Sequence, residues 1–391
     1  MKKKILAFTP IFYPHMGGAE RTVYELYSRL VRDHGYEVAL VTINTDHAPS
    51  YEMIDGIHVY RIGKNYTNKL VKIAVLQVLF FWIYVQKFSF RGWRVLHVHY
   101  AFHLSLSALF FRYILQKKLI VSEYHFGTGA DISSEKENPS LVNTICGMVY
   151  RAAALVLTIS QDNKRFIHTV SKKDISVEVI KQGTDHIFFS PKYFNAQKKQ
   201  ELLYGKEYLL VTTSRISTRK NIEDMIRVVR IVKDRGISVR LMINGKVDRG
   251  NETYFAELKG LIHELALDDA VVFNGFVSDE DMRVLYACSD LFLLTSKYEG
   301  FGIANVEALA SGTPVVTYDT GAAHDFIRDY DNGVVTANND PIRMADIVEK
   351  ILKDGELLPH MRHAARACVE KELNWATYAK ENNIHITPLF N

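Results

Sequence analysis

Leu291-Phe292-Leu293-Leu294-Thr295-Ser296-Lys297-Tyr298-Glu299-Gly300-Phe301-Gly302-Ile303-Ala304-Asn305-Val306-Glu307 reads as a strand, a glycine corner and the start of a helix. Its opening apolar run suits a short strand buried on both faces of a parallel sheet. From Val306 to Ala310 the pattern turns helical, without Gly or Pro. Gly300 and Gly302 allow backbone to approach a ligand closely, and a helix starting there aims unpaired N–H groups and partial positive charge at an anion. Glu299 and Glu307 bracket the corner and can hold a polar ligand at two points. Each also has a plainer reading, Glu307 as a helix-start acid and Glu299 as a solvated loop charge.

Two other segments repeat this layout. Ile5-Leu6-Ala7-Phe8-Thr9 reads as a buried strand ended by Pro10 and Pro14, and Gly17-Gly18-Ala19-Glu20 opens a helix from about Arg21 to Arg32. Tyr208-Leu209-Leu210-Val211-Thr212-Thr213 reads as a strand followed by Ser214-Arg215-Ile216-Ser217-Thr218-Arg219-Lys220-Asn221 and a helix from about Ile222. Arg215 and Lys220 flank that loop. A planar guanidinium and a compact ammonium so placed can converge on the two phosphates of a nucleoside diphosphate. A unit charge pair at 4 Å is worth about 4 kcal/mol near a protein surface, enough to favour departure of a diphosphate.

Length and composition suit two such domains: 391 residues with 48% hydrophobic content supply two cores. Strand-like runs such as Val38–Thr42, Val95–His99, Leu155–Ile159, Leu241–Ile243 and Val271–Phe273 alternate with helical ones. That order predicts parallel sheets covered by helices, ligands at the carboxyl ends of their strands, and an active site in a cleft between domains. The three cysteines, Cys146, Cys288 and Cys368, are far apart and odd in number, which fits a reducing compartment. The N-terminal apolar stretch is shorter than a secretory core, so the expected location is cytoplasmic. No Cys/His cluster suggests zinc, and no basic stretch with interleaved aromatics suggests nucleic acid. Asp329-Tyr330-Asp331 has a metal-binding spacing, but Asn332-Gly333 and a resumed strand make it turn chemistry, so no metal is expected.

Leu70 to Val85 is apolar around nearly the whole helix, broken only by Lys72 and Gln77. It is short for a membrane span. Lys64, Lys69, Lys87, Arg91 and Arg94 surround it, with Trp82, Tyr84 and Trp93. Two readings stay open: a buried core helix, or peripheral attachment of 64–94 to an anionic membrane face.

These residues together resemble the retaining GT-B glycosyltransferases, specifically family 4. The Glu-x7-Glu pattern from Glu299 to Glu307 carries the resemblance, continued by Ala308-Leu309-Ala310-Ser311-Gly312-Thr313-Pro314-Val315-Val316. Pro14-His15-Met16-Gly17-Gly18-Ala19-Glu20 is similar to the family's acceptor-side glycine loop, and Val121-Ser122-Glu123-Tyr124-His125 to the strand end bearing its histidine. Departures occur at Ser214, where Gly is common, at Lys181-Gln182, where Pro-Asn is usual, and at Gly321-Ala322-Ala323-His324-Asp325, where Gly-Gly-x-x-Glu is frequent.

The resemblance implies an α/β GT-B fold: two Rossmann-like domains facing across a cleft, with the N-terminal acceptor-side domain at 1–187, a linker at 188–206, the nucleotide-sugar domain at 207–372, and a tail, 373–391, packing back on the first domain. It further implies transfer of a hexosyl unit from a UDP- or GDP-sugar, itself a substrate, to a hydroxyl acceptor that is lipid-linked or a polysaccharide precursor. Arg215 and Lys220 would stabilise the leaving diphosphate, and backbone at Gly17 and Gly18 would approach its distal phosphate. Glu299 would bind hexose hydroxyls with backbone at Gly300, Phe301, Gly302 and Ile303, and Glu307 would bind the ribose. His125 would contact hexose or acceptor. Gly245, Phe276 and Val277 fall among the nucleotide-binding positions. A GT-B sugar-nucleotide epimerase and a non-catalytic sugar-nucleotide binder share this architecture. An acceptor requirement separates the first, any turnover the second.

Overall fold

A computed structural model describes residues 2–14, 17–44, 47–64, 69–89, 92–124 and 139–391. The chain forms two compact units, Met1–Gln182 with Trp375–Asn391, and Gly183–Asn374.

In the first unit the strands are β1 (Lys4–Phe8), β2 (Glu37–Ile43), β3 (Tyr51–Ile54), β4 (Ile57–Ile62), β5 (Val95–His99), β6 (Lys118–Glu123), β7 (Leu155–Thr158) and β8 (Val177–Val179). Their spatial order is β3-β4-β2-β1-β5-β6-β7-β8. All pair in parallel except β3, which runs antiparallel to β4. The second unit orders β9 (Tyr208–Thr213), β10 (Val239–Asn244), β11 (Val271–Gly275), β12 (Leu291–Leu294), β13 (Val315–Tyr318) and β14 (Gly333–Thr336) as β11-β10-β9-β12-β13-β14. Each sheet reverses its winding once, beside β1 in the first and beside β9 in the second, and at such points the loops splay apart to leave a crevice at the carboxyl ends.

The apolar runs read from sequence become strands because both faces are covered: all four residues of β12, every residue of Val38–Ile43, and Phe8 are buried. Alternate side chains, Phe8, Ala39, Val41 and Ile43 in the first unit and Leu291 and Leu293 in the second, belong to two cores, one around Phe8, Phe80, Val98 and Phe111, the other around Leu210, Leu241, Leu293 and Met344. The helix Gly18–His34 starts at Gly17, where Glu20 folds back on the cap, and stops at Gly35 in the left-handed conformation, φ 69°. Its buried residues Val23, Leu26, Tyr27 and Leu30 recur at helical spacing, each large aliphatic contributing about 1.5–3 kcal/mol on burial. The tail helix Trp375–Ile386 packs against it. Tyr36 donates to Asn383 Oδ1 (3.0 Å) and Lys3 to Thr387 Oγ1 (3.0 Å).

Sequence placed the end of the first domain at 187, a linker at 188–206 and the start of the second domain at 207; the second unit instead runs from Gly183, so that 188–206 is built into it. The backbone explains the shift. Thr184 N–H donates to Leu373 O (2.9 Å), and Arg366 donates to the carbonyls of His186 (2.7 Å) and Phe189 (3.0 Å). Phe189 is buried, and Asn195 caps a short helix, Ala196–Leu203, whose Leu203 is buried too. Polar composition hid these few anchoring contacts.

Among the described residues no helix is long and apolar enough to cross a membrane. The helix Lys69–Lys87 is buried along Leu76, Phe80, Ile83 and Tyr84, yet Val78, Phe81, Trp82 and Val85 are exposed. The buried-core reading therefore covers one face only.

Candidate active site

Two loops leave neighbouring strands of the second sheet at its reversal point. β9 and β12 pair in parallel, Leu210 opposite Leu291 and Val211 opposite Phe292, so the segments after Thr213 and Leu294 emerge side by side. The first carries Arg215 and Lys220, the second Glu299 and Glu307. Polar contacts lace them together. Thr295 Oγ1 donates to the carbonyls of Lys220 (3.2 Å) and Asn221 (2.8 Å), and Lys297 N–H to Arg219 O (2.8 Å).

The cation loop is held by short-range geometry. A 3-10 turn over Thr218–Lys220 ends at Asn221 in the left-handed conformation, φ 49°, from which the helix Ile222–Asp234 departs. Asn221 Nδ2 donates to Asp224 Oδ2 (2.8 Å), which also accepts from Tyr318 OH (2.9 Å). Gly245, placed among nucleotide-binding positions from sequence, has a mechanical reason to be glycine. At φ 141° its Cα faces the loop so closely that an added Cβ would lie 1.9 Å from Ser214 O. Ser214 N–H donates to Asn244 O (2.9 Å) and Ile216 N–H to Lys246 O (2.9 Å), so this approach sets the direction in which Arg215 leaves β9.

Lys220 and Glu299 form an ion pair, their side chains only 11% and 13% exposed. Burial by itself pushes the Glu299 carboxyl up, but the Lys220 ammonium, with lesser help from Arg219, outweighs it and holds the acid below the usual carboxylate range. The group is an anion at neutral pH. Arg215 differs: its side chain is 65% exposed and its guanidinium pairs with Asp248 at 3.2 Å. A compact cation is fixed in the wall and an extended one stands in solvent.

The corner itself is shaped by glycine and by backing residues. Gly302, at φ 82°, is the residue from which the helix Ile303–Ala310 starts, and Phe301 is buried against Phe326, ring centroids 5.2 Å apart. Gly321, at φ 59°, lies so close behind that an added Cβ would sit 2.5 Å from Glu299 O and 2.7 Å from Gly300 O. Gly321 thus sets the backbone whose acid matters, a role its position in the divergent Gly321-Ala322-Ala323 segment did not reveal. Glu307 is half-buried on the helix and accepts from Tyr286 OH at 3.4 Å. Tyr286 is fully buried, and burial first, then the Glu307 charge, push its phenol far up, so it acts as a fixed donor. Phe276 is 69% exposed under Lys246, whose Nζ lies 4.7 Å from the ring centroid, and Val277 follows it, half-buried.

Of the first-unit candidates, Gly17 and Gly18 lie at the start of their helix, as read. The Gly17 N–H, however, donates to Glu20 Oε2 (3.0 Å), so an anion there must displace a carboxylate. His125 lies outside the described residues. Asp329 accepts from Val335 N–H (3.2 Å) and Tyr330 N–H donates to Gly333 O (2.9 Å), the hydrogen bonds of a tight turn. Among the described residues no group of three His, Cys, Asp or Glu is placed to hold a metal ion.

The comparisons with known proteins decide the family. Residues 194–367 match Glycosyl transferases group 1, and residues 16–187 match Glycosyltransferase Family 4. The chain belongs to these family 4 glycosyltransferases. An uncharacterized glycosyltransferase of Methanocaldococcus jannaschii is 24% identical over 94% of this chain and 93% of its own. In fold, sucrose-phosphate synthase of Thermosynechococcus elongatus superposes with a TM-score of 0.81 at 20% identity over 100% of this chain and 99% of that one. HepE of Anabaena, crystallised with UDP, gives a TM-score of 0.78 at 20% identity over 99% of this chain and 100% of that one. The glycosyltransferase is an α/β protein of the GT-B type, with two Rossmann-like parallel-sheet domains.

Proposed function

We propose that this glycosyltransferase moves a hexosyl unit from a UDP- or GDP-sugar to a hydroxyl acceptor, carried on a lipid or polysaccharide precursor at the cytoplasmic membrane face, with retention of anomeric configuration and without a metal ion. One observation carries the reading: the Lys220–Glu299 ion pair ties a cation loop to an acid-bearing glycine corner at the sheet's reversal point. Arg215 and Lys220 take the diphosphate. Glu299 receives hydrogen bonds from hexose hydroxyls beside backbone at Gly300, Phe301, Gly302 and Ile303, while Glu307 receives those of the ribose. Val277 and Phe276 border the base.

In the reaction the bond between the sugar's anomeric carbon and the diphosphate oxygen breaks, and positive charge builds on the ring while negative charge grows on the leaving group. Lys220 is already held in place by Glu299, so it stabilises that charge with little reorganisation. The acceptor oxygen bonds to the anomeric carbon and its proton passes to a leaving phosphate oxygen, so no side chain need act as base. Gly17 and Gly18 N–H groups, once Glu20 has moved from Gly17, and His125 are assigned to distal phosphate and to hexose or acceptor on the family resemblance.

Thermal shift of the full-length protein with UDP, GDP and ADP tests the donor, since a ligand at a hundred times its Kd adds about 2.7 kcal/mol of stability. HepE's bound UDP makes that nucleotide the first to try. The expected outcome is a shift with one nucleotide, weakened by Glu307→Ala, and release of nucleoside diphosphate only when acceptor is added. Release of altered sugar without acceptor would make the protein an epimerase. No shift with any nucleotide would overturn the reading.

A further inference from the structure

We infer that the exposed apolar face shared by the helices Lys69–Lys87 and Ser105–Tyr113 is the surface by which the protein docks on a bilayer of anionic phospholipid. This deepens the membrane-side reading of the acceptor and uses none of the transfer chemistry.

The first helix exposes Ala74, Val78, Phe81, Trp82 and Val85, spaced three and four apart along one stripe. Val78 is 69% exposed and Trp82 56%. The second helix continues the surface with Leu106, 66% exposed, and Phe110, and Tyr113 and Ile114 lie at its end. The two stripes are joined. Phe81 meets Phe110 edge to face at 5.4 Å between centroids, and Gln77 clamps the helices by donating to His103 O (2.9 Å) and accepting from Ser107 N–H (2.8 Å). Between them lies a slot of about 440 Å³ lined by Val78, Phe81, Leu106 and Phe110 over a floor of Gln77 and Ser107. Packing does not require these side chains to be apolar, because Leu76, Phe80, Ile83 and Phe111 already fill the core beneath. A contiguous apolar surface of this kind marks an interaction site.

Charge identifies the partner. Between Asp55 and Glu123 the sequence contains no acidic residue but ten Lys or Arg. Arg61 is buried in a pair with Glu52 and does not contribute to the surface, but Lys64, Lys87 and Arg94 are exposed. Arg112 and Lys117 lie over the rings of Tyr113 and Tyr84, each 5.9 Å from the centroid, and so belong to the same two-helix module. An apolar stripe carried on a stretch of chain rich in cations and without acids fits an anionic bilayer, with the helix lying in the interface and the slot taking lipid hydrocarbon. A second copy of this chain would bring a basic rim against a basic rim.

Vesicle binding by the full-length protein tests this. Phosphatidylglycerol–phosphatidylcholine vesicles should co-sediment the protein and shift its tryptophan emission to the blue, since Trp82 is exposed while Trp93 and Trp375 are buried. Trp82→Phe should remove the shift. Val78→Glu with Leu106→Glu should lower the partition coefficient by at least about tenfold, and Lys87→Glu with Arg94→Glu by about fivefold for each charge, at unchanged melting temperature. Hexose transfer to a soluble acceptor should be unaffected in both variants, so membrane docking and transfer fail separately. Equal binding to phosphatidylcholine alone, unchanged binding by the Glu variants, or a dimer without vesicles that Val78→Glu abolishes would overturn the inference.

Discussion

Glu123, at the carboxyl end of β6, and Glu299, at the corner after β12, are both withdrawn from water, and their carboxyls are shifted in opposite directions. Around Glu123 the partners are neutral: Tyr150 OH donates at 3.0 Å and Ala101 N–H at 3.4 Å. Burial dominates and pushes the carboxyl up to about 7. Glu299 meets an ammonium and is held down. On the proposed function the difference separates scaffold from site: where a buried acid serves the fold, neutral donors suffice, and where it is to grip a polar ligand beside a diphosphate, a cation keeps it ionised before the ligand arrives.

Breaking the charged half of the contrast should have the largest effect. Lys220→Ala removes a preorganised cation and also leaves Glu299 unpaired in a largely buried position. Turnover should fall by ~10²–10³ and unfolding free energy by roughly 3–5 kcal/mol, the second read from denaturant unfolding. A stable, fully active variant would remove Lys220 from the site. Arg215→Ala sharpens the point. Its guanidinium is mostly in solvent, so turnover should drop by about the same ~10²–10³ while stability changes by less than about 0.5 kcal/mol. A loss of stability without loss of turnover would assign Arg215 to the scaffold.

The two glutamates should give stability profiles of opposite sign. For Glu123 the folded pKa is raised, so its contribution is intact below the ordinary value and is lost as pH rises through about 7. Glu123→Gln should flatten unfolding free energy between roughly pH 4.5 and 7, a span worth about 3 kcal/mol. For Glu299 the folded pKa is lowered, so its contribution is present above the ordinary value and is lost as pH falls through the folded one. Glu299→Gln should remove that acid-side loss. An unchanged profile in the Glu123 variant would mean the carboxyl is ionised in place.

Much of this was legible from residues in local order. Apolar runs gave the strands, because a parallel strand covered on both faces needs little else, and Gly302 marked the corner because the turn requires positive φ. What escaped reading depends on residues far apart in the chain. Lys220 and Glu299 are 79 positions apart, and nothing in either segment says that they touch. Gly245 and Gly321 read as ligand-side or divergent positions, though each is required by the backbone opposite it. Residues 188–206 looked like a linker since an anchor such as Arg366, which donates to Phe189 O, comes from far along the chain. Helical periodicity likewise could not say which face of Lys69–Lys87 a neighbour would cover.

The smallest effect tests the neutral half of the contrast. In the first unit a buried chain of hydrogen bonds runs from Ser122 through His97 Nε2 (2.8 Å), His97 Nδ1 to Tyr27 OH (2.9 Å), Tyr27 OH to His99 Nε2 (2.7 Å) and His99 Nδ1 to Tyr124 OH (2.8 Å). Burial lowers His97 to about 3 and His99 well below its ordinary value, so both rings are neutral. A neutral imidazole has one donor and one acceptor nitrogen, so the protons along the chain must all point the same way. Tyr27 is then donor to one ring and acceptor from the other, and no water is needed to complete either. Tyr27→Phe breaks the chain in the middle and strands one nitrogen of each histidine, which should cost about 1–3 kcal/mol in unfolding free energy. Because neither ring gains a cationic or anionic partner, the loss should be independent of pH between about 5 and 8. A loss that grows toward acid would show that one imidazole carries a proton in the folded state, and the first unit would then hold charge in its core as the second does.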